Sequence, residues 1–172
     1  MLKMLIVENN IYQCQKIANI ISSNIEDVKL YSYVYTGKQA LEIIATKCVD
    51  FILLDLKLPD ISGLDIIEYL ATHNIYQYKK SIIVVSSEFD MISQIIYSDY
   101  IFDVISKPVN YNKLIRCVYN IINEKQDKYK LNTLMEKIIS ELVSLNYNIS
   151  HNGTLYLAEA ILQSYLVRRK HD

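Results

Sequence analysis

The sequence predicts a doubly wound α/β fold, and three observations predict it. Short apolar runs alternate with longer amphipathic ones along residues 2–122. Several of those runs are apolar throughout, as strands covered on both faces of a sheet are. Polar residues of related chemistry stand at the carboxyl ends of four different runs, where open α/β sheets bind their ligands.

The first run, residues 2–7, reads as a strand ending at Glu8-Asn9, and residues 13–21 form the next helix with Ile17, Ile20 and Ile21 on one stripe. Residues 28–34 give the second strand and 38–45 the second helix. The third strand, Phe51-Ile52-Leu53-Leu54, stops at Asp55, with Pro59 and Gly63 as turn and helix-start punctuation before a helix at 64–70. Residues 82–85 form a fourth strand closed by Ser86, leading into a helix over 89–97. Residues 101–105 form the fifth strand, with Lys107-Pro108 just beyond, and 113–122 the fifth helix. Five βα units make one domain, 1–123, which the composition, 51% hydrophobic, can supply with a core.

The rest, 124–172, reads as a helical extension. Residues 124–130 are charged and read as a boundary that either continues the fifth helix or acts as a short linker. Leu131, Leu134, Met135, Ile138, Ile139, Leu142, Val143 and Leu145 then keep a 3.6-residue stripe, and 155–167 carries a second. Two such helices about a turn rich in Asn, Ser, His and Gly make a hairpin.

Charge and cysteine usage exclude several functions. Residues 1–123 carry 11 basic and 13 acidic residues and 124–172 carry 7 and 6, so neither part has the basic excess of an autonomous nucleic-acid binder. Cys14, Cys48 and Cys117 lack CxxC spacing and suggest neither a disulfide framework nor zinc, which suits a reducing cytoplasm. The first apolar stretch is too short for a signal-peptide core and no later one reaches bilayer length, so a soluble cytoplasmic protein with no membrane partner is expected.

Glu8, Asn9, Asp55, Ser86 and Lys107 are the candidate site. Each alone has an ordinary reading: a strand-end carboxylate opening a turn, a hydroxyl bonded to backbone, a solvated loop lysine. Four strand ends meeting at one edge favour a shared purpose. A carboxylate attacking phosphorus forms an acyl phosphate, and the charge gathering on the transferred group calls for a cation and fixed donors.

LIVENN, FILLDLKLPDISGLDII, IIVVSS and ISKPV together resemble the receiver domain of bacterial two-component response regulators, over residues 1 to about 123. The resemblance implies a five-stranded parallel sheet of order 2-1-3-4-5. It implies that Asp55 accepts a phosphoryl group from a sensor histidine kinase or phosphotransfer protein, with self-phosphorylation and dephosphorylation as the only catalysis. Mg²⁺ would be held by Glu8, Asn9, Asp55 and the backbone carbonyl of Lys57, while Lys107 pairs with the phosphoryl oxygens and Ser86 donates to one of them. The ion asks only for oxygen ligands and keeps several waters.

Three positions depart from the family pattern. Receivers have two adjacent acids where this chain has Glu8-Asn9, so weakened Mg²⁺ affinity is expected: one charge pair at about 4 Å and an effective dielectric near 20 is worth roughly 4 kcal/mol gross. Val104 stands where an aromatic ring commonly turns inward, and strand alternation would put Tyr100 and Phe102 on its own face. Ser87 adds a hydroxymethyl group where the family is usually small and would narrow access to Asp55. Lys57 and Glu88 flank the same opening, either as two solvated side chains or as an exposed pair worth under about 1 kcal/mol.

Residues 131–161, with Gly153, Tyr156, Leu157, Ala160 and Ile161, resemble the first two helices of the DNA-binding output domain of the sporulation stage-zero transcription factor. That family's helix-turn-helix comes later, so DNA binding is not expected of these 172 residues alone, and Arg168-Arg169-Lys170 reads as a solvated helix end. The expected function is a phosphorylation-controlled response regulator governing transcription or a protein partner, with a homodimer among its open partners. The alternative is a degenerate receiver, a phosphate-independent interaction module, favoured by Asn9 and Val104. A phosphatase with Asp55 as nucleophile would want an acid two residues on, where Lys57 stands.

Overall fold

The computed structural model describes residues 1–46, 48–148 and 152–168. Its elements alternate as β1 (Leu2–Val7), α1 (Ile11–Asn24), β2 (Val28–Val34), α2 (Gly37–Ala45), β3 (Phe51–Leu54), α3 (Gly63–Thr72), β4 (Ile82–Ser86), α4 (Phe89–Ile95), β5 (Ile101–Ser106), α5 (Tyr111–Ser144) and α6 (Asn152–Arg168), with a 3-10 turn at Tyr76–Tyr78. The five strands are parallel in the order β2-β1-β3-β4-β5. Two compact units divide the chain, Met1–Ile122 and Asn123–Asp172, and the division falls inside α5.

In the first unit the sheet has an apolar layer on each face. Ala40, Ile44, Ile66, Ile67, Leu70, Ile92 and Ile95 from α2, α3 and α4 pack with Leu5, Val7, Ile52 and Leu54 on one side. Cys14, Ile17, Ile21, Leu114, Cys117, Val118 and Ile121 from α1 and α5 pack with Met4, Ile6, Phe51 and Leu53 on the other. Successive strand residues serve opposite layers, so β3 is buried along its whole length. Truncating any of these aliphatics to Ala costs about 2–5 kcal/mol, lost burial and residual cavity together.

Local chemistry fixes where each helix starts. Asn10 accepts from the Gln13 N–H at the head of α1, and Thr36 accepts from the Gln39 N–H at α2. Ser62 and Asp65 form a reciprocal capping box at α3, the Asp65 carboxylate accepting from the Ser62 N–H at 2.7 Å. Asp60 reaches back to accept from the backbone N–H groups of Gly37 at 2.7 Å and Lys38 at 3.0 Å, tying the β3–α3 loop to α2. Those bonds outweigh partial dehydration, which acts the other way, and hold the Asp60 carboxyl down to about 2.

Of its two readings, the charged stretch 124–130 takes the first: it continues the fifth helix as part of α5, because Glu, Lys and Gln are good helix formers and no Gly or Pro intervenes. The first arm of the expected hairpin is thus the end of α5. One expectation needs correction. Phe102 does not share a face with Val104: Phe102 packs against the layer of α1 and α5, whereas Val104 and Tyr100 belong with the opposite one. The cause is a register shift, Ile82 pairing with Ile101 but Ile83 with Asp103, which breaks the two-residue alternation at Phe102.

In the second unit, Leu142 of α5 and Thr154, Ala158 and Leu162 of α6 are buried, and the Thr154 hydroxyl donates to the Asn148 carbonyl at 2.8 Å. Residues 149–151 of the expected turn, and all of the basic cluster but the backbone of Arg168, lie outside the described residues.

Candidate functional site

Sheet register brings the site together. Val7 pairs with Leu54 across β1 and β3, so the next residues, Glu8 and Asp55, are neighbours, and the Asp55 N–H donates to the Val7 carbonyl at 2.8 Å. Ser86 pairs with Ser106 across β4 and β5, and the Lys107 N–H donates to the Ser86 carbonyl at 3.0 Å. Lys107 comes directly after that pair, and its peptide to Pro108 is cis.

From there the Lys107 ammonium bridges both acids, donating to Glu8 Oε2 at 2.7 Å and to Asp55 Oδ2 at 2.6 Å. Both carboxylates are almost wholly buried, 3% exposed for Glu8 and 5% for Asp55. Their remaining oxygens are held by backbone: Glu8 Oε1 accepts from the Asn10 N–H at 3.1 Å, and Asp55 Oδ1 from the Lys57 N–H at 3.2 Å. Burial pulls the Lys107 ammonium down, but hydrogen bonds and charge from Asp55 and Glu8 outweigh it and leave it above the ordinary lysine value.

Ser86 is fully buried, and its hydroxyl accepts from the Glu88 N–H at 3.3 Å. Asn9 and Ser87 are exposed. Lys57 and Glu88 meet at 3.5 Å on an exposed flank of the same edge, too solvated to contribute much.

Three contributors lie outside the candidate site read from sequence. Asn10 both caps α1 and orients Glu8 through its backbone; an Asn just before an apolar-periodic segment is a readable cap signal, its grip on Glu8 is not. Cys14 donates its thiol to the Glu8 carbonyl at 3.2 Å, and burial, with the Glu8 charge, pushes that thiol up to about 11, so it is a neutral packing group. Gly63 lies so close that a Cβ there would stand 2.7 Å from the Asp55 carbonyl oxygen and 2.8 Å from Leu56 Cα.

The two buried carboxylates, Glu8 and Asp55, offer oxygen alone. Such a set fits a hard divalent ion that keeps several waters. Among the described residues no three His, Cys, Asp or Glu side chains converge as a metal cage, so the charge for such an ion would come from Glu8 and Asp55.

A buried acid at the end of the central strand, bridged by a lysine from the end of the fifth, on a 2-1-3-4-5 sheet, defines a receiver. The chain belongs to the response regulator receiver domain family, whose sequence profile matches residues 4–119. Solved structures agree in fold. The signal receiver domain of a putative LuxO repressor protein from Vibrio parahaemolyticus aligns at 23% identity and a TM-score of 0.63, over 74% of this chain and 94% of that one. The REC domain of AraT, a response regulator from Geobacillus stearothermophilus, aligns at 22% identity and a TM-score of 0.65, over 74% and 98%. The response regulatory domain of mrkE from Klebsiella pneumoniae aligns at 20% and 0.60, over 73% and 98%. No curated protein matches the chain. No helix among the described residues is long and apolar enough to cross a membrane.

Proposed function

We propose that this receiver is a working phosphoacceptor in a two-component pathway, taking a phosphoryl group on Asp55 from a histidine kinase or phosphotransfer protein. The observation that carries this is the Lys107 ammonium set between two buried carboxylates, at 2.7 and 2.6 Å. A lysine already on the acceptor can follow the negative charge as it moves onto phosphorus.

Asp55 Oδ1 is fixed by the Lys57 N–H, which leaves Oδ2, held by a side chain able to move, as the attacking atom. As the Oδ2–P bond forms, the bond from phosphorus to the donor's imidazole nitrogen breaks, and that nitrogen keeps the electron pair. Lys107 then transfers its hydrogen bonds to the phosphoryl oxygens, and Ser86 turns its hydroxyl from the Glu88 N–H to donate to one of them. Glu8, Asp55, the Lys57 carbonyl and Asn9 would hold Mg²⁺, which supplies charge neutralisation at the transferring group.

Intact mass after incubation with a small phosphodonor, with Mg²⁺ or with chelator, tests the reading. One phosphoryl group gained only with metal, and not by Asp55→Asn, supports it. No gain at high Mg²⁺ points to the second reading, a degenerate receiver that binds partners without phosphate, which the neutral Asn9 favours. The output of the active form, whether transcription or contact with another protein, would run through the segment after Asn123.

A further inference from the structure

The loop from Asp55 to Ser62 holds the acceptor with little main-chain support of its own. The Gly63 N–H closes it by donating to the Leu56 carbonyl at 2.9 Å. From Lys57 to Ile61, among the described residues, no main-chain group is bonded to another main-chain group. Lys57 lies in that stretch, and its N–H is what fixes Asp55 Oδ1, at 3.2 Å. An N–H that sets the direction of a buried carboxylate needs a backbone that stays where it is, because small misplacements at a reacting group cost rate steeply.

A side chain supplies the missing anchor. Asp60 reaches α2 from the far end of the loop, its carboxylate accepting from the Gly37 N–H at 2.7 Å and the Lys38 N–H at 3.0 Å. Only Leu58 and Pro59 separate it from Lys57, and the proline ring removes one of the dihedrals through which that link could flex. Gly37 lets the two backbones close up: a Cβ there would stand 2.6 Å from the Ile61 carbonyl oxygen. Leu58 and Ile61 both pack against the layer of α2, α3 and α4.

Capping of the helix alone does not account for Asp60. Thr36 already caps α2 from the residue before it, its hydroxyl accepting from the Gln39 N–H at 3.3 Å and its carbonyl from the Ala40 N–H at 3.2 Å. Lys38 is exposed, and its N–H would find water without Asp60. A carboxylate that crosses 22 residues of sequence to take that N–H fastens the loop as much as it caps the helix.

We infer that Asp60 is a positioning residue for the Asp55 acceptor: by fastening the outer end of the β3–α3 loop to the head of α2, it holds the Lys57 main chain in place against the Asp55 carboxylate. The inference rests on the reading of Asp55 as the phosphoacceptor. Asp60→Ala is compared with Thr36→Ala, which removes a bond from the same helix head and leaves the loop tied, and circular dichroism checks that both fold. Amide hydrogen exchange followed by NMR on the unphosphorylated, metal-free chain probes the loop. The Lys57 and Gly63 amides should exchange about tenfold faster in Asp60→Ala and at the wild-type rate in Thr36→Ala. Phosphoryl incorporation from a small phosphodonor with Mg²⁺ should slow about tenfold in Asp60→Ala and not in Thr36→Ala. Asp60→Asn, which keeps one acceptor oxygen, should fall between Asp60→Ala and wild type in both measurements, and it carries the comparison if the alanine variant does not fold. Loop amides or an incorporation rate that the Asp60 variants share with Thr36→Ala overturn the inference and leave Asp60 a helix cap. A wild type that gains no phosphoryl group overturns the reading of Asp55 and this inference with it, a result distinct from a wild type that reacts while the variants behave alike.

Discussion

Replacing Lys107 by Met removes the cation from between two buried acids and leaves the fold otherwise intact. At an effective dielectric near 20, unit charges about 2.7 Å apart attract by roughly 6 kcal/mol, and Lys107 makes two such contacts. Most of that is offset by the dehydration of all three groups and by repulsion between the acids. Removing one partner of a buried pair costs about 3–5 kcal/mol, and with the Lys107 side chain 24% exposed the low end, about 3 kcal/mol, is expected near pH 7. Urea unfolding followed by far-UV circular dichroism near pH 7 measures it. Adding Asp55→Asn to Lys107→Met removes one of the two charges and should recover about half the loss. A loss under about 0.5 kcal/mol, or one that Asp55→Asn does not rescue, would refute the reasoning.

Other substitutions probe the same edge. Asn9→Asp should tighten Mg²⁺ by about tenfold or more, the roughly 4 kcal/mol gross attraction of a new charge being partly cancelled by repulsion from Glu8 and Asp55; an unchanged midpoint for metal-induced thermal stabilisation would count against it. Gly63→Ala, whose Cβ meets the Asp55 carbonyl and Leu56 Cα, should destabilise by about 2 kcal/mol and slow phosphoryl incorporation, since the two nearest atoms are backbone. An alanine variant with wild-type stability would show the turn to be slacker than its geometry. Asp60 is held at about 2 from an ordinary 3.8, so its contribution is complete above pH 3.8 and lost as pH falls toward 2. The stability gap between wild type and Asp60→Asn should therefore close over that interval, and a gap that persists at the acid end would contradict the cap.

The strand ends that gather Glu8, Asp55, Ser86 and Lys107 were legible because apolar runs end sharply and the doubly wound topology sends every such end to one edge. What joins them was not. The contact of Lys107 with Glu8 spans 99 residues, and that of Asp60 with Gly37 spans 23; neither leaves a periodic trace. Gly63 reads as punctuation whether or not another backbone presses on it. The irregularity at Phe102 is set by how β5 pairs with β4, which a strand's own pattern does not record. The charged stretch after Asn123 left helix and linker both open for a related reason: charge marks solvent exposure, and an exposed helix is as charged as a linker.

Those structural details bear on how a change at Asp55 could travel. Val104 has no ring to turn, Phe102 packs into the opposite layer, and Tyr100 is fixed by its hydroxyl donating to the Leu70 carbonyl at 2.8 Å. No aromatic on β5 is therefore placed to follow Ser86 inward. Lys107 remains. Only Pro108 and Val109 separate it from Asn110, whose side chain accepts from the Lys113 N–H at the head of α5, and the Lys113 ammonium in turn donates to the Val104 carbonyl at 2.6 Å. A lysine that leaves Glu8 for a phosphoryl group would thus pull on a short, tied segment that leads directly into α5. That helix runs unbroken to Ser144, past the boundary between the units, so a covalent route from a phosphorylated Asp55 to the tail would begin at Lys107.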